Sequence, residues 1–330
     1  MSTLTETKVK PKFELDSRLL NSFSRVLILI LLSVGISILS PDFLSGKNLV
    51  NVLIAASVPA ILAIAETIVI LTANIDLSLG AIFAISSVVT AVMLNFYEAP
   101  IFLAILAGLA TGGLMGLLNG LMIAKLKLPP FIATYGLRIA ASGLAIGILK
   151  GYVVYGFPKD FRFLGTGRPL GIPMPIIIAG LVTLLMWFLL NRTIFGRQVY
   201  AVGSNLEAAR MSGIKTSNVL VIVYVLAGVI AAIAWVVHIA RINAAETNLG
   251  ATMLQPAIAA SVIGGTTMMG GDGSVLGSVI GALIMTIVQN ALTLLGVTPV
   301  WQQFILGGMI IFAVLADMGV RRLTARRSEG

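Results

Sequence analysis

Long apolar runs, separated by short polar or proline-marked links, recur along the whole chain. A helix crossing the hydrocarbon of a bilayer needs about 20 apolar residues. The pattern predicts ten spans, at residues 20–40, 49–72, 80–95, 100–124, 130–149, 173–190, 218–240, 256–270, 274–295 and 302–316. The third, eighth and tenth are short, which predicts a local tilt, a broken helix or burial inside the bundle. The first apolar run follows a tail containing Glu14 and Asp16 and lacks a small-x-small cleavage site, so it reads as a retained span. The expectation is an all-α, polytopic membrane bundle. It comprises a tail at 1–19, one transmembrane domain at 20–317 with a polar inner loop at 192–217, and a tail at 318–330.

Composition narrows the class. Of 330 residues, 58% are hydrophobic and 11% are charged, too few charges to solvate a soluble surface. The absence of cysteine excludes disulfides, zinc–thiolate sites and thiol catalysis. A net charge of +9 raises nucleic acid as a partner, but the basic residues cluster at span ends, as membrane topology requires, so nucleic-acid binding is set aside. With the N-terminus inside, fifteen Lys and Arg fall on the inner side and six on the outer. That imbalance places both basic tails inside and requires an even number of spans. The outer loop 151–172 is nonetheless basic and too long for a turn, and its role stays open.

Glycines recur every fourth residue in two spans: Gly108, Gly112, Gly116 and Gly120, then Gly273, Gly277 and Gly281. Such stripes let helices approach closely, and one in each half suggests a weak internal repeat. DLSLGAI faintly echoes DGSVLGSVIGA and points the same way, although generic membrane packing also explains the stripes. Ionisable groups inside spans are the default functional candidates. Glu66 lies about 9 Å from the inner end of its span, where it has three readings: lining a pathway, pairing with Arg138, or snorkelling to the inner face. Asp76 in TANIDLSLG suits the start of the third span as a cap, and Asp272 in GGDGS invites the same explanation. With Asn119, Gly112 and Gly116, Glu66 and Asp76 form the candidate set for pathway or packing. His238, the only histidine, has no carboxylate or thiol companion in the sequence and is a poor ligand or base. No nucleotide-binding P-loop, HExxH or GxSxG motif occurs. Catalytic and metal residues are therefore expected to be absent.

The polar stretch SNLEAARMSG is different in kind. Ser204 and Glu207 match a capping box, Leu206 to Ser212 continue as a helix, and Gly213 suits a left-handed terminus. Two turns are too short to stand alone in water, so this helix needs a surface. Headgroups and a soluble inner partner both qualify. Its mixed rather than strongly basic polar face favours the partner.

The run GRQVYAVGSNLEAARMSGI resembles the coupling loop of ABC importer permeases of the ribose and autoinducer-2 class. TANIDLSLG, LNGLMIAKLKLPPFIATYGL, VIGGTTMMGGDGSVLGSVIGAL and TPVWQQFILGGMIIFAVLAD extend the likeness, in order, over roughly residues 20–317. The resemblance implies a permease, not an enzyme, with ATP and magnesium bound by a separate cytoplasmic ABC ATPase. It further implies an extracytoplasmic sugar-binding protein and a second permease copy or paralogue. It assigns ATPase contact to Glu207, Ala208, Ala209, Arg210 and Gly213, beside the capping Ser204. Ala208 and Ala209 are small enough for close seating in a groove. One departure stands out: Ala73 and Asn74 replace two glycines usual in that family. The rival reading is an ion-coupled secondary transporter, for which Glu66 is the one embedded carboxylate to consider.

Overall fold

The computed structural model describes residues 17–247 and 249–328. Thirteen helices occur among them: α1 (Ser17–Leu39), α2 (Gly46–Ile70), α3 (Leu79–Asn95), α4 (Ile101–Ala124), α5 (Pro130–Leu149), α6 (Lys159–Thr166), α7 (Met174–Arg192), α8 (Ile194–Ser204), α9 (Leu206–Met211), α10 (Thr216–Ile242), α11 (Leu249–Ile263), α12 (Val275–Leu294) and α13 (Pro299–Ser328). Nine of the ten predicted spans largely coincide with one of these helices, whereas the eighth, at 256–270, overlaps α11 only at 256–263, because the helix starts earlier and 264–270 forms a glycine-rich turn. Of the helices, α2, α4, α5, α7, α10 and α12 are long and apolar enough to cross a membrane unaided. Of the three spans expected to be short, α3 has 17 residues and α11 has 15, whereas the tenth belongs to α13, a helix of 30 residues whose apolar part is Pro299–Phe312. α13 runs on to Ser328, so the expected boundary between domain and tail at 317/318 falls inside a continuous helix. Residues 1–16 of the expected N-terminal tail lie outside the described residues.

Proline punctuates the spans as their local chemistry requires. Pro100, Pro129 and Pro173 stand immediately before α4, α5 and α7, where a missing amide hydrogen leaves no helical bond unmade. Lys150 and Asn243, at φ 51° and 55°, end α5 and α10 in the left-handed conformation.

The packing has two related halves. α2 and α10 form a central pair. Around α10 pack α3 and α4, which also touch each other. Around α2 pack α11 and α12, again in mutual contact. α5 leans on α3 as α13 leans on α11. Exchanging α2–α5 with α10–α13 therefore reproduces the main contacts, and the glycine stripes lie on the equivalent helices α4 and α12. The DLSLGAI echo does not follow this relation. It leads into α3, whereas DGSVLGSVIGA leads into α12, the counterpart of α4.

The loop at 151–172 is folded rather than free. Its strand β1 (Val154–Tyr155) pairs antiparallel with β2 (Ala244–Ala245) just after α10. The Phe157 amide donates to Asn243 Oδ1 at 2.9 Å. Phe161 of α6 is fully buried, and Gly165 lies flush against the backbone of Arg241. A segment read as a basic outer loop is thus a clasp on the end of α10.

Close backbone approach sets the centre. A Cβ on Gly112 would strike the carbonyl of Gly228 on α10, and one on Gly228 would strike that of Gly112. Gly80 of α3 and Gly250 of α11 exclude each other's side chains in the same way. On α12, Gly277 and Gly281 meet the α11 end at Gly264 and Ala260. Gly116 lies against the backbone of Tyr224. We therefore predict that Gly116→Leu forces α4 from α10 at a cost of about 1–3 kcal/mol, the usual range for overpacking. Thermal unfolding of the detergent-purified protein measures this. An unchanged midpoint would mean that the contact does not hold α4 in place.

Candidate functional site

Two features carry the polar chemistry: the 192–217 segment and a buried cluster beneath it. The segment contains a helix that its sequence did not announce. α8 is capped by Thr193, whose hydroxyl accepts from the Gly196 amide at 3.2 Å, and packs on α7 and α10. It runs through Ser204, which removes Ser204 from the expected capping role. Ser204 Oγ donates instead to the Tyr200 carbonyl at 2.9 Å. The cap of α9 is Asn205, whose Oδ1 accepts from the Ala208 amide at 2.9 Å. Gly213, at φ 82°, terminates the turn after α9 as expected.

The faces of α9 also differ from expectation. Ala209 points inward and is buried against the chain's own core. Its side chain therefore lies on the inward face of α9, away from the exposed Glu207 and Met211. Glu207, Ala208 and Arg210 are exposed, together with Leu206 and Met211. Met211 is 88% exposed, four residues after Glu207 and therefore on the same face. The sequence signal for Leu206 and Met211 was two large apolar side chains in a six-residue helix whose other members are Glu207, Arg210 and two alanines. Beside α9 opens a cleft of about 950 Å³, bordered by Asn74, Lys125, Lys127, Glu207, Arg210 and Lys215 among others.

α8 connects this surface to the bundle. A Cβ on Gly203 would strike the Leu71 carbonyl, and the Gly271 amide donates to that same carbonyl at 3.0 Å. The Tyr200 hydroxyl donates to the Gly273 carbonyl at 3.0 Å. The turn after α2 is thereby held between α8 and the 264–274 link. Ala73 within it sits at φ 59°, the left-handed conformation that glycine adopts freely. The turn keeps its shape without glycine, at a backbone cost of roughly 1–2 kcal/mol.

The same turn enters a buried polar cluster. Asp76 Oδ1 accepts from the Ser78 amide at 2.8 Å and the Ser78 hydroxyl at 2.6 Å. It thus braces the residue before α3 rather than capping the helix itself. Asn119 of α4 donates to Ser78 Oγ at 2.7 Å and lies 3.4 Å from both Asp76 oxygens. Glu66 Oε1 accepts from the Asp76 amide at 3.3 Å. Glu66, Asp76, Ser78 and Asn119 are all fully buried. Among the described residues, Glu66 Oε2, Asn119 Oδ1 and the Tyr224 hydroxyl have no hydrogen-bond partner. Glu66 therefore neither snorkels nor pairs with Arg138, whose guanidinium lies over the Tyr135 ring at 5.9 Å.

Asp272 and His238 stand apart from this cluster. Ser274, not Asp272, caps α12 by accepting from the Gly277 amide at 3.0 Å. His238 packs against Phe83 with ring centroids 5.5 Å apart. Among the described residues no group of three or more His, Asp or Glu is placed to hold a metal.

A helical bundle with six helices long and apolar enough to cross a membrane, packed through glycine, is that of a multi-pass membrane protein. Comparison with known proteins specifies the group. Residues 48–314 match the family described as "Branched-chain amino acid transport system / permease component". The chain is 38% identical over 317 residues to the ribose import permease protein RbsC of Escherichia coli (strain K12), covering 95% of this chain and 98% of that one. It is 40% identical over 291 residues to RbsC of Bacillus subtilis (strain 168), covering 88% and 90%. It is 36% identical over 308 residues to the fructose import permease protein FrcC of Rhizobium meliloti, covering 91% and 85%. No solved structure matches. The chain belongs to this permease family and is a multi-pass membrane protein, not an enzyme.

The corrected cap is directly testable. Asn205→Ala should destabilise α9 by about 0.5–2 kcal/mol, the usual cost of losing an N-cap, whereas Ser204→Ala should be nearly silent. Hydrogen exchange at the Ala208 and Ala209 amides measures both. The reverse ranking would restore Ser204 as the cap.

Proposed function

We propose that this chain is the permease subunit of an ATP-driven importer for a monosaccharide, delivered by an extracytoplasmic sugar-binding protein. Two permeases, either two copies or a copy with a paralogue, enclose the passage in the cytoplasmic (inner) membrane, with both termini in the cytoplasm. ATP and magnesium sit on a cytoplasmic ABC ATPase, and this chain binds neither. The observation that carries this reading is α9. A helix of six residues, held to the bundle by Ala209, presents Glu207 and Met211 outward, flanked by Ala208 and Arg210.

An exposed methionine at this position is an anchor for an apolar groove, since flexible thioethers adapt to the surface they meet. Movement of the ATPase would pass from α9 through α8 to Leu71, and from the turn after α2 to Asp76, Ser78 and Asn119. These contacts join α2, α3 and α4. The permease supplies two conformations with different solute affinity, and hydrolysis on the partner supplies the drive.

A sugar is favoured as the solute because the relatives matched over nearly full length are named for ribose and fructose. The family description names branched-chain amino acids, which is the second reading. Uptake of labelled ribose, fructose and leucine by the reconstituted importer separates the two.

Two variants test the mechanism. Ala208→Trp places bulk on the outward side of α9 and should abolish both co-purification of the ATPase and uptake, with normal insertion in the membrane. Normal co-purification would end the docking assignment and leave α9 lying on headgroups. Glu66→Gln keeps an acceptor for the Asp76 amide but cannot ionise. It should retain most ATP-driven uptake. Abolished uptake with the ATPase still bound would instead favour ion coupling.

A further inference from the structure

Arg138 is a charged side chain that neither the coupling route nor the buried cluster uses. It is the ninth residue of α5, about 12 Å from the helix start at 1.5 Å per residue. That depth approaches the middle of a hydrocarbon layer about 30 Å thick. Arginine at such depth is tolerated where it meets protein partners or water. No carboxylate contacts Arg138 among the described residues. Its guanidinium rests over Tyr135, one turn nearer the helix start, which leaves the charge still inside the layer.

The neighbours on α5 form a pattern. Phe131, Tyr135, Arg138 and Ser142 are spaced at i, i+4, i+7 and i+11, so they make one stripe along the helix. Phe131 and Tyr135 are stacked with centroids 5.8 Å apart and an interplanar angle of 1°. Both are exposed, while Arg138 and Ser142 are half-buried at the edge of the face that α5 packs on α3 and α4. The packed face itself carries Ala133, Thr134, Ala141 and Ala145. The glycines of α5 also differ from those of α4. Among the described residues, a Cβ on Gly136, Gly143 or Gly147 would meet nothing within 4 Å. This side of α5 is therefore not packed by the described part of the chain.

We propose that Phe131, Tyr135, Arg138 and Ser142 line the solute passage, and that the Arg138 guanidinium donates hydrogen bonds to hydroxyl groups of the passing sugar. This rests on the reading of the chain as a sugar permease. The chemistry is matched. A guanidinium offers five donors in a fixed fork, and sugar hydroxyls are acceptors. Aromatic faces beside it suit the apolar C–H faces of a pyranose or furanose. Water in the passage hydrates the charge between passages of solute.

The absence of cysteine gives a clean test, because each engineered thiol is unique. Tyr135→Cys, Arg138→Cys and Ser142→Cys are expressed with the partner ATPase in membrane vesicles, with Leu185→Cys, at an apolar position 66% exposed on α7, as the control. A charged, membrane-impermeant thiosulfonate should modify positions 138 and 142 at least about tenfold faster than position 185, since a charge enters lipid roughly a hundredfold less readily than water. Equal, slow modification at 138, 142 and 185 overturns the proposal and leaves Arg138 reaching for headgroups. Fast modification at 135 alone does the same. A sugar that wild-type vesicles accumulate, tried among D-ribose, D-allose and D-fructose, should slow modification of Ser142→Cys, in which Arg138 is intact. Fast modification that none of the transported sugars slows overturns Arg138 as a solute contact. Failure of wild-type vesicles to take up any of these sugars counts against the sugar reading itself, and the labelling pattern does not depend on it.

Discussion

Contact between bare backbones is the constraint on which this molecule depends. In lipid the hydrophobic effect does not drive helices together, so cohesion must come from close packing and from polar groups that find partners. Gly112 with Gly228, and Gly80 with Gly250, each leave room for no side chain on either helix. These contacts fix the spacing of α4 to α10 and of α3 to α11. Where the second half lacks glycine it uses other small residues. Ala60 and Ala63 of α2 meet Ala260 and Ala282, and Thr67 bonds the Ser261 hydroxyl at 3.1 Å. The two halves thus share an arrangement but hold it together with different chemistry.

Close spacing is what makes the polar cluster possible. Glu66, Asp76, Ser78 and Asn119 come from α2, the turn after it, the start of α3 and α4, and they meet because those helices converge. Two oxygens in this group, Glu66 Oε2 and Asn119 Oδ1, meet no donor among the described residues, a costly and uncommon condition in a core of low polarity. The left-handed Ala73 shares this condition: a backbone held off its minimum by neighbours on both sides.

The sequence made the spans legible because length and hydropathy are local properties, and only the eighth was misplaced, since the apolar, glycine-rich turn at 264–270 reads like a continuing span. It made the glycine stripe legible as a packing face, since a period of four marks one side of a helix. It did not name the partner of that face, because spacing along one helix says nothing about which other helix lies opposite. The α9 cap shows a finer limit. SNLE holds two good cap residues in a row, and the choice went to Asn205 only because α8 extends through Ser204. The inward turn of Ala209 was hidden for the same reason, since a two-turn helix has no long periodicity to orient it. The loop at 151–172 looked open because its anchors are remote in sequence: Asn243 lies 86 residues from Phe157, and Arg241 lies farther along the chain than any local pattern reaches. Arg138 was visible as an anomaly, but pairing it with Glu66 assumed that two intramembrane charges must find each other.

α10 has a mechanical consequence. It is 27 residues long, about 40 Å at the usual rise, and Gly228 is its thirteenth residue. The tightest contact with α4 therefore lies near its midpoint, with arms of nearly equal length on either side. One arm ends at α8 and α9; the other ends at the clasp formed by β1, β2 and α6. A rigid rod pivoting on a smooth central point moves its two ends in opposite directions by similar amounts. Force applied to one end of such a rod would reach the other end with its sign reversed. The absence of side chains at Gly112 and Gly228 makes that point a fulcrum as well as a seam.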